Sequence, residues 1–207
     1  MTLVRNVVLT VGHSDHSLDM FVALLQQHGV TAVADVRSVP YSRFNPQFNK
    51  EALDRSLKAN RIKYVFLGRE LGGRSDDRSC YENGRVRYAR LAHTELFRSG
   101  IERVIRGAKE HRIALMCAEK DPLECHRTLL VARTLEERGV TVEHILAGGQ
   151  LESHADAMVR LLDVVGLPHE DLFRAREDLI ADALARQEER VAYVDEKKAA
   201  EIAGGAQ

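Results

Sequence analysis

The chain carries several short stretches whose residue types can bind an anion or move a proton. Carboxylates such as Asp35 and Glu119 can act as general acids or bases, and His13 can orient a reacting group or shuttle a proton. Arg37 and Arg127 can hold a phosphate group through paired, charge-assisted hydrogen bonds. Together these residues would suit hydrolysis or group transfer on a phosphate-bearing ligand such as a nucleotide or a nucleic acid.

Further polar and glycine residues stand beside these groups and are candidates for ligand binding. Ser14, Ser42 and Arg43 offer hydrogen-bond donors and a positive charge. Gly72 and Gly73 could let the backbone approach a ligand closely, although a glycine pair also suits a simple tight turn. The glycine-rich stretch has neither the phosphate-loop pattern nor the dinucleotide fingerprint.

Apolar runs place most of these residues at the ends of predicted strands. The runs predict strands at 7–11, 30–36, 62–67, 113–118 and 140–146, with helices at 18–29, 49–60, 88–109 (broken near Gly100), 121–139 and 151–162. This alternation predicts an α/β fold with a mainly parallel sheet of about five strands flanked by helices. Ligands of such sheets bind outside the carboxyl ends of the strands, so we expect one shared cleft there.

A structural role is the alternative for each charged residue. Asp35 could form a buried ion pair with Arg37 or Arg127 that only ties two loops together. Glu119 could help to cap the following helix, although Asp121 and Glu124 already suit that task.

Cys125 has the setting of a reactive thiol. Asp121 and the proline after it predict a helix start, which would place Cys125 in the second turn of that helix. A thiol near a helix N-terminus and beside Arg127 could be a nucleophile of lowered pKa. The alternative is a buried cysteine that behaves as a small apolar residue.

A zinc site is the other chemistry open to these residue types. Cys117, Cys125, His126 and His13 could supply ligands. The spacing Cys-x7-Cys-His matches no known zinc pattern, however, so we expect neither a metal nor another cofactor.

The composition sets limits on class and location. The 207 residues are 44% apolar, and the formal net charge of −1 gives no global polycation that would hold nucleic acid. Arginines and tyrosines between Arg37 and Arg90 leave a local nucleic-acid surface open. The chain begins with no signal peptide and has no apolar run long enough to cross a membrane, so we expect a cytoplasmic protein with reduced cysteines.

The chain is predicted to divide into an α/β core at 1–165 and a helical extension at 166–207 with a frayed end near Gly204. Leu172, Leu179, Leu184 and Val191 mark an apolar stripe in the extension. That stripe could dock on the core or on a second subunit, so a homodimer through this helix is possible.

Five motifs, taken in order, resemble the bacterial family called domain of unknown function 488. They are Gly12-His13-Ser14, Asp35-Val36-Arg37 with Pro40 and Ser42, Leu71-Gly72-Gly73, Cys117-Ala118-Glu119 and Cys125-His126-Arg127. The resemblance covers about Val7 to Gly149 and implies an α/β domain with one shared site. It supplies no reaction. Three hypotheses therefore stay open: an enzyme for phosphate-bearing ligands, a binding module without catalysis, and a thiol or zinc enzyme.

Overall fold

A six-stranded sheet forms the centre of the structure, a computed structural model that describes residues 7–196. The strands lie in the order β3-β2-β6-β1-β7-β8, and all neighbours are parallel except the antiparallel pair of β7 and β8. Their bounds are Val7–Gly12 (β1), Ala32–Asp35 (β2), Lys63–Phe66 (β3), Ile113–Cys117 (β6), Thr141–Ile145 (β7) and Leu151–Ser153 (β8). Two further strands, Tyr81–Glu82 (β4) and Arg85–Val86 (β5), form a separate hairpin.

Helices cover both faces of the sheet. They are Leu18–Gln27 (α1), Lys50–Ala59 (α2), Gly68–Leu71 (α3), Tyr88–Ala92 (α4), Glu95–Gly107 (α5), Arg133–Glu137 (α6), His154–Val165 (α7) and Arg176–Val191 (α8). A π-helical turn, Arg127–Ala132, leads directly into α6. The predicted α/β class with a C-terminal helix is confirmed, with six strands in the main sheet rather than about five.

The sheet separates two apolar cores because its central strands are apolar on both faces. Leu9 and Val11 of β1 pack into one core with Phe21 of α1, and Val8 packs into the other. Alternating side chains of a strand point to opposite faces, so a continuous apolar run is what a doubly covered strand requires. Because β1, β2 and β6 are parallel neighbours, their carboxyl ends lie at the same edge of the sheet.

Two local predictions are corrected by the structure. Leu151–Ser153 is an edge strand, and the helix predicted from 151 begins only at His154. The predicted break near Gly100 lies instead at His93–Thr94, where the Thr94 side chain caps α5. Gly100 lies inside α5, and an added Cβ there would lie 2.7 Å from Cβ of Glu70 and 2.8 Å from the Leu71 side chain, so the close packing of α5 on α3 requires glycine.

The predicted helix start at Asp121 is also corrected. Asp121 caps only a short 3₁₀ turn, Pro122–Glu124, and Cys125 is extended before the π-helical turn begins at Arg127. Cys125 therefore precedes a helix rather than lying in its second turn.

The C-terminal helix packs on the same chain. Leu179 and Leu184 of α8 are buried in the core that also contains α7, and Gln187 donates a hydrogen bond to the Leu123 carbonyl at 3.0 Å. Part of the predicted apolar stripe is thus covered within the chain, whereas Leu172 is exposed. A homodimer stays a prediction, and the expected frayed end near Gly204 lies outside the described residues. Among residues 7–196, no helix has the length and apolar character needed to cross a membrane.

His144 and His154 form a buried pair that links β1, β7 and α7. His144 Nδ1 lies 2.8 Å from Thr10 Oγ1, and His144 Nε2 lies 3.2 Å from His154 Nδ1. Burial lowers the pKa of His144 to about 3 and the pKa of His154 to about 4. Both rings are therefore neutral in the folded protein at neutral pH.

We expect the free energy of unfolding to fall as the pH drops from 6.5 to about 4. The unfolded chain binds protons on these histidines near pH 6.5, whereas the folded chain binds them only at lower pH. The expected loss between pH 6.5 and pH 5 is on the order of 2 kcal/mol per histidine, measured by urea unfolding across pH. His154→Asn should reduce this dependence and the surface variant His93→Gln should not; equal slopes in all three proteins would contradict the assignment.

Candidate functional site

A polar cleft of about 650 Å³ lies at the carboxyl ends of β1, β2 and β6. Seven of the residues predicted to form a site line it: His13, Ser14, Arg37, Ser42, Gly73, Glu119 and Cys125. The backbone brings them together because the pairing of β1 and β6 continues beyond the strands. His13 N–H donates to the Cys117 carbonyl and Ser14 N–H to the Ala118 carbonyl, both at 2.9 Å.

Asp35 lies beneath the cleft and forms a buried ion pair with Arg37. One carboxylate oxygen accepts Arg37 Nε–H at 2.9 Å and the Arg37 backbone N–H at 3.1 Å. The other accepts Arg37 Nη2–H at 2.7 Å and the Tyr64 hydroxyl at 2.8 Å. Asp35 is fully buried, so its predicted catalytic role is replaced by the structural alternative: it holds Arg37.

Most N–H donors of Arg37 are hydrogen-bonded to other groups of the protein, but its side chain still lines the cleft. Besides Asp35, its guanidinium donates to the Phe48 carbonyl at 2.9 Å and to His13 Nε2 at 3.3 Å. His13 Nδ1–H donates to the Ser14 carbonyl at 2.8 Å, and the His13 ring stacks on Phe48 with centroids 4.3 Å apart. Both ring nitrogens of His13 therefore have partners inside the protein.

Arg127 does not line the cleft, which corrects its predicted role as an anion contact. Its side chain is fully buried and donates to the Glu119 carbonyl at 2.7 Å and the Lys120 carbonyl at 3.3 Å. The same segment passes so close to Gly12 that an added Cβ there would lie 1.9 Å from the Glu119 carbonyl oxygen. Arg127 thus fixes the backbone that presents the Glu119 side chain.

Two other predicted ligand contacts are not among the lining residues of the cleft. Arg43 is exposed on the loop after β2. Gly72 ends α3, and an added Cβ would lie 2.3 Å from the Gly68 carbonyl oxygen. Gly73 does line the cleft, and its task there is to make room: an added Cβ would lie 2.9 Å from Cγ of His126.

Cys117, Cys125 and His126 form a compact cluster in the cleft wall. His126 Nδ1 lies 3.8 Å from each of the two sulfur atoms, and His126 Nε2–H donates to the Val36 carbonyl at 3.0 Å. The Cys125 sulfur also accepts the Arg127 backbone N–H at 3.4 Å. Cys117 ends β6 and Cys125 precedes the helix, so the loop between them folds back to bring the sulfurs together.

Residues 17–134 match the family described as Domain of unknown function DUF488. The chain belongs to the DUF488 family. The match includes the Asp35–Arg37 pair, Glu119 and the cysteine cluster, but it begins after His13 and ends before α8. No curated protein and no solved structure matches this chain.

The ionisable groups of the DUF488 cleft have pKa values that are shifted in different directions. Burial lowers the pKa of His13 to about 4, so this ring is neutral at neutral pH and suits a positioning role rather than proton transfer. Burial opposes the positive charge of Arg37, but its hydrogen bonds to Asp35 outweigh this and raise its pKa.

The two thiols of the cluster have pKa values that are shifted in opposite directions. Burial opposes a thiolate at Cys125, but the Cys117 thiol and the charges of Arg127 and His126 lower its pKa well below the ordinary value. The Cys117 pKa is raised well above normal by its hydrogen bond to Cys125 and by burial. Burial opposes the charged form of His126, yet the neighbouring Cys125 raises its pKa.

Glu119 is exposed to the cleft but crowded by protein on several sides. This partial burial raises the pKa of its carboxyl group, and the neighbouring Cys125 raises it further. A carboxylate whose pKa is raised accepts a proton more readily than that of an ordinary glutamate.

Sequence reasoning missed several residues of the cleft wall. Arg74 follows the glycine pair, and its guanidinium carbon lies 4.2 Å from the ring centre of Tyr193. Tyr193 and Val191 come from the C-terminal segment, which was predicted to lie outside the shared core. That segment reaches the cleft because Val86 N–H donates to the Tyr193 carbonyl at 3.0 Å, a pairing that no local pattern indicates.

The Asp35–Arg37 ion pair predicts that Asp35 has a structural role, which measurements of stability can test. Asp35→Asn should lower the free energy of unfolding by about 3 kcal/mol or more, because it leaves the buried Arg37 charge without its partner. Tyr64→Phe removes one hydrogen bond from the same carboxylate and should cost only about 1 kcal/mol. Chemical denaturation measures both, and an Asp35→Asn protein as stable as the wild type would rule out the structural role.

Proposed function

We propose that this protein is an enzyme that hydrolyses, or transfers a group from, a small phosphate-bearing molecule such as a nucleotide. The observation that carries the proposal is the shared position of Glu119 and the Cys117–Cys125–His126 cluster in one wall of the cleft. A cleft of about 650 Å³ is of the size that holds a small ligand rather than a protein partner.

Two arginines of the cleft favour a ligand that carries an anionic group. Arg37 has five N–H donors, of which one on Nη1 is left after its bonds to Asp35, Phe48 and His13. Arg74 lines the same cleft and is held over the Tyr193 ring. A phosphate group placed between Arg37 and Arg74 would receive charge-assisted hydrogen bonds from both.

Ion pairs elsewhere favour a small ligand over a nucleic-acid strand. Arg87 pairs with both Glu82 and Glu189, while Arg85 pairs with Glu189 and Arg90 with Glu82. These arginines belong to the basic stretch that left a nucleic-acid surface open in the sequence. These two glutamates offset most of the positive charge of the three arginines, which leaves less of it to bind a phosphate backbone.

Glu119 is the residue to which we assign proton transfer. Its side chain faces the cleft, and its backbone carbonyl is held by Arg127 Nη1 at 2.7 Å. In a hydrolysis, Glu119 would take a proton from the attacking water and return a proton to the leaving group. His13 and Asp35 act through Arg37 in this scheme and touch no reacting atom.

The test pairs Glu119→Gln with Glu124→Gln, which removes the same charge from another exposed residue of the cleft wall. Nucleoside mono-, di- and triphosphates and sugar phosphates would be screened for a rise in the unfolding midpoint and for products by mass spectrometry. We expect Glu119→Gln to keep binding but to lower turnover at least about 100-fold. Glu124→Gln should stay within a few-fold of the wild type.

A companion variant tests the anion contact. Arg74→Met should weaken binding of the same ligand about tenfold while the protein stays folded, because it removes a charge from the cleft surface and not from the core.

Full turnover in Glu119→Gln would contradict the catalytic assignment. Tight binding with no product from any ligand would replace the enzyme with a binding module.

A further inference from the structure

The cysteine–histidine cluster has the ligand set and the spacing of a metal site. Cys117 Sγ, Cys125 Sγ and His126 Nδ1 all lie within 4.8 Å of one another, and Nδ1 is 3.8 Å from each sulfur. In a tetrahedral zinc site with Zn–S about 2.3 Å and Zn–N about 2.0 Å, sulfur and nitrogen ligands lie about 3.6 Å apart. An ion at the centre of the cluster would require only small inward movements of these side chains.

A second feature aims the imidazole at the two sulfurs. His126 Nε2–H donates to the Val36 carbonyl at 3.0 Å, which leaves Nδ1 as the nitrogen with a free lone pair facing the cluster. Metal-binding histidines in proteins are typically fixed in this way by a backbone carbonyl on the other ring nitrogen. Gly73 packs against the same ring, where an added Cβ would lie 2.9 Å from Cγ and 3.1 Å from Nδ1, so only glycine leaves room there.

We propose that Cys117, Cys125 and His126 bind one Zn²⁺ ion and leave its fourth coordination position open to the cleft. Two thiolates and an imidazole favour zinc over harder cations such as Mg²⁺ or Ca²⁺. All three residues line the cleft, so water or substrate can reach an ion that they hold. This proposal departs from the sequence-based expectation that the chain binds no metal.

The binding of zinc stands on this geometry alone, whereas its use in catalysis rests on the proposed function. Three protein ligands with an open fourth position are the arrangement of catalytic rather than structural zinc sites. Zinc held by Cys117, Cys125 and His126 would supply a Lewis acid that makes water a better nucleophile at neutral pH. Glu119 in the same wall would take up the proton that the water releases and pass it to the leaving group.

The spacing Cys-x7-Cys-His matches no common zinc motif because the ligands come from two separate parts of the fold. Common zinc motifs take two ligands from one tight turn, but here Cys117 ends β6 and the other two ligands precede a helix. The intervening residues include the 3₁₀ turn Pro122–Glu124, which redirects the chain so that Cys125 returns to Cys117.

The test measures metal on the full chain, without reference to any substrate. Protein purified without chelators and protein dialysed against Zn²⁺ would be analysed by plasma mass spectrometry, and we expect one zinc per chain. Co²⁺ in place of Zn²⁺ should give the thiolate-to-metal charge-transfer and tetrahedral ligand-field absorption bands. These measurements use the wild-type protein, so they do not depend on whether a variant folds.

Variants identify the ligands. Cys117→Ser, Cys125→Ser and His126→Gln should each lower zinc affinity at least about 100-fold, measured by competition with a chromogenic chelator. Cys80→Ser is the matched control, because Cys80 is a buried free cysteine outside the cluster, and it should retain the wild-type affinity. Wild-type protein with less than a tenth of a zinc per chain after dialysis would overturn the site. A disulfide between Cys117 and Cys125 in protein kept under reducing conditions would also overturn it.

The outcomes separate zinc binding from the proposed function. Bound zinc lost in the cluster variants, together with no turnover of any phosphate-bearing ligand, would leave the metal site standing and remove the enzyme. Turnover that depends on Glu119 in protein without zinc would do the reverse.

Discussion

The pairing of β1 with β6 determines where the cleft can form. Parallel strands fix their register through evenly spaced backbone hydrogen bonds, and here two more bonds follow the ends of both strands. His13 and Ser14 are thereby attached to Cys117 and Ala118. On the other side of β6, Val36 N–H donates to the Met116 carbonyl at 3.0 Å, which brings the Arg37 segment to the same edge. The candidate site residues are neighbours because these backbone hydrogen bonds hold their segments side by side.

Buried charges then hold the loops that this pairing brings together. Arg37 is fixed by Asp35, and Arg127 fixes the carbonyls of Glu119 and Lys120. Leaving buried guanidinium N–H groups without partners is costly, so these contacts stabilise both arginines. Among the described residues, Nε of Arg127 is nevertheless buried with no hydrogen-bond partner. Charged residues at this edge of the sheet therefore fall into two groups. Some support the site from below, and others, such as Glu119 and Arg74, face the cleft and are available to a ligand.

Apolar patterning predicted the parallel strands well but not the short elements. The run predicted at 113–118 is the strand Ile113–Cys117, and the run at 30–36 contains Ala32–Asp35. Burial on both faces of a central strand demands a continuous apolar run, and such a run is visible in a single sequence. Leu151–Ser153 is too short to show a period, and its edge pairing with β7 depends on a strand that lies elsewhere in the chain.

The sequence by itself determined the α/β class and the edge of the sheet at which His13, Arg37, Glu119 and Cys125 collect. It did so because strand periodicity and the position of polar residues after each strand are local properties. Only the tertiary structure decided that Arg127 turns inward, that Tyr193 of the C-terminal segment completes the wall, and that Cys117 meets His126. The direction of a side chain depends on the burial of its charge and on partners that are distant in sequence. The local sequence pattern indicates neither of these.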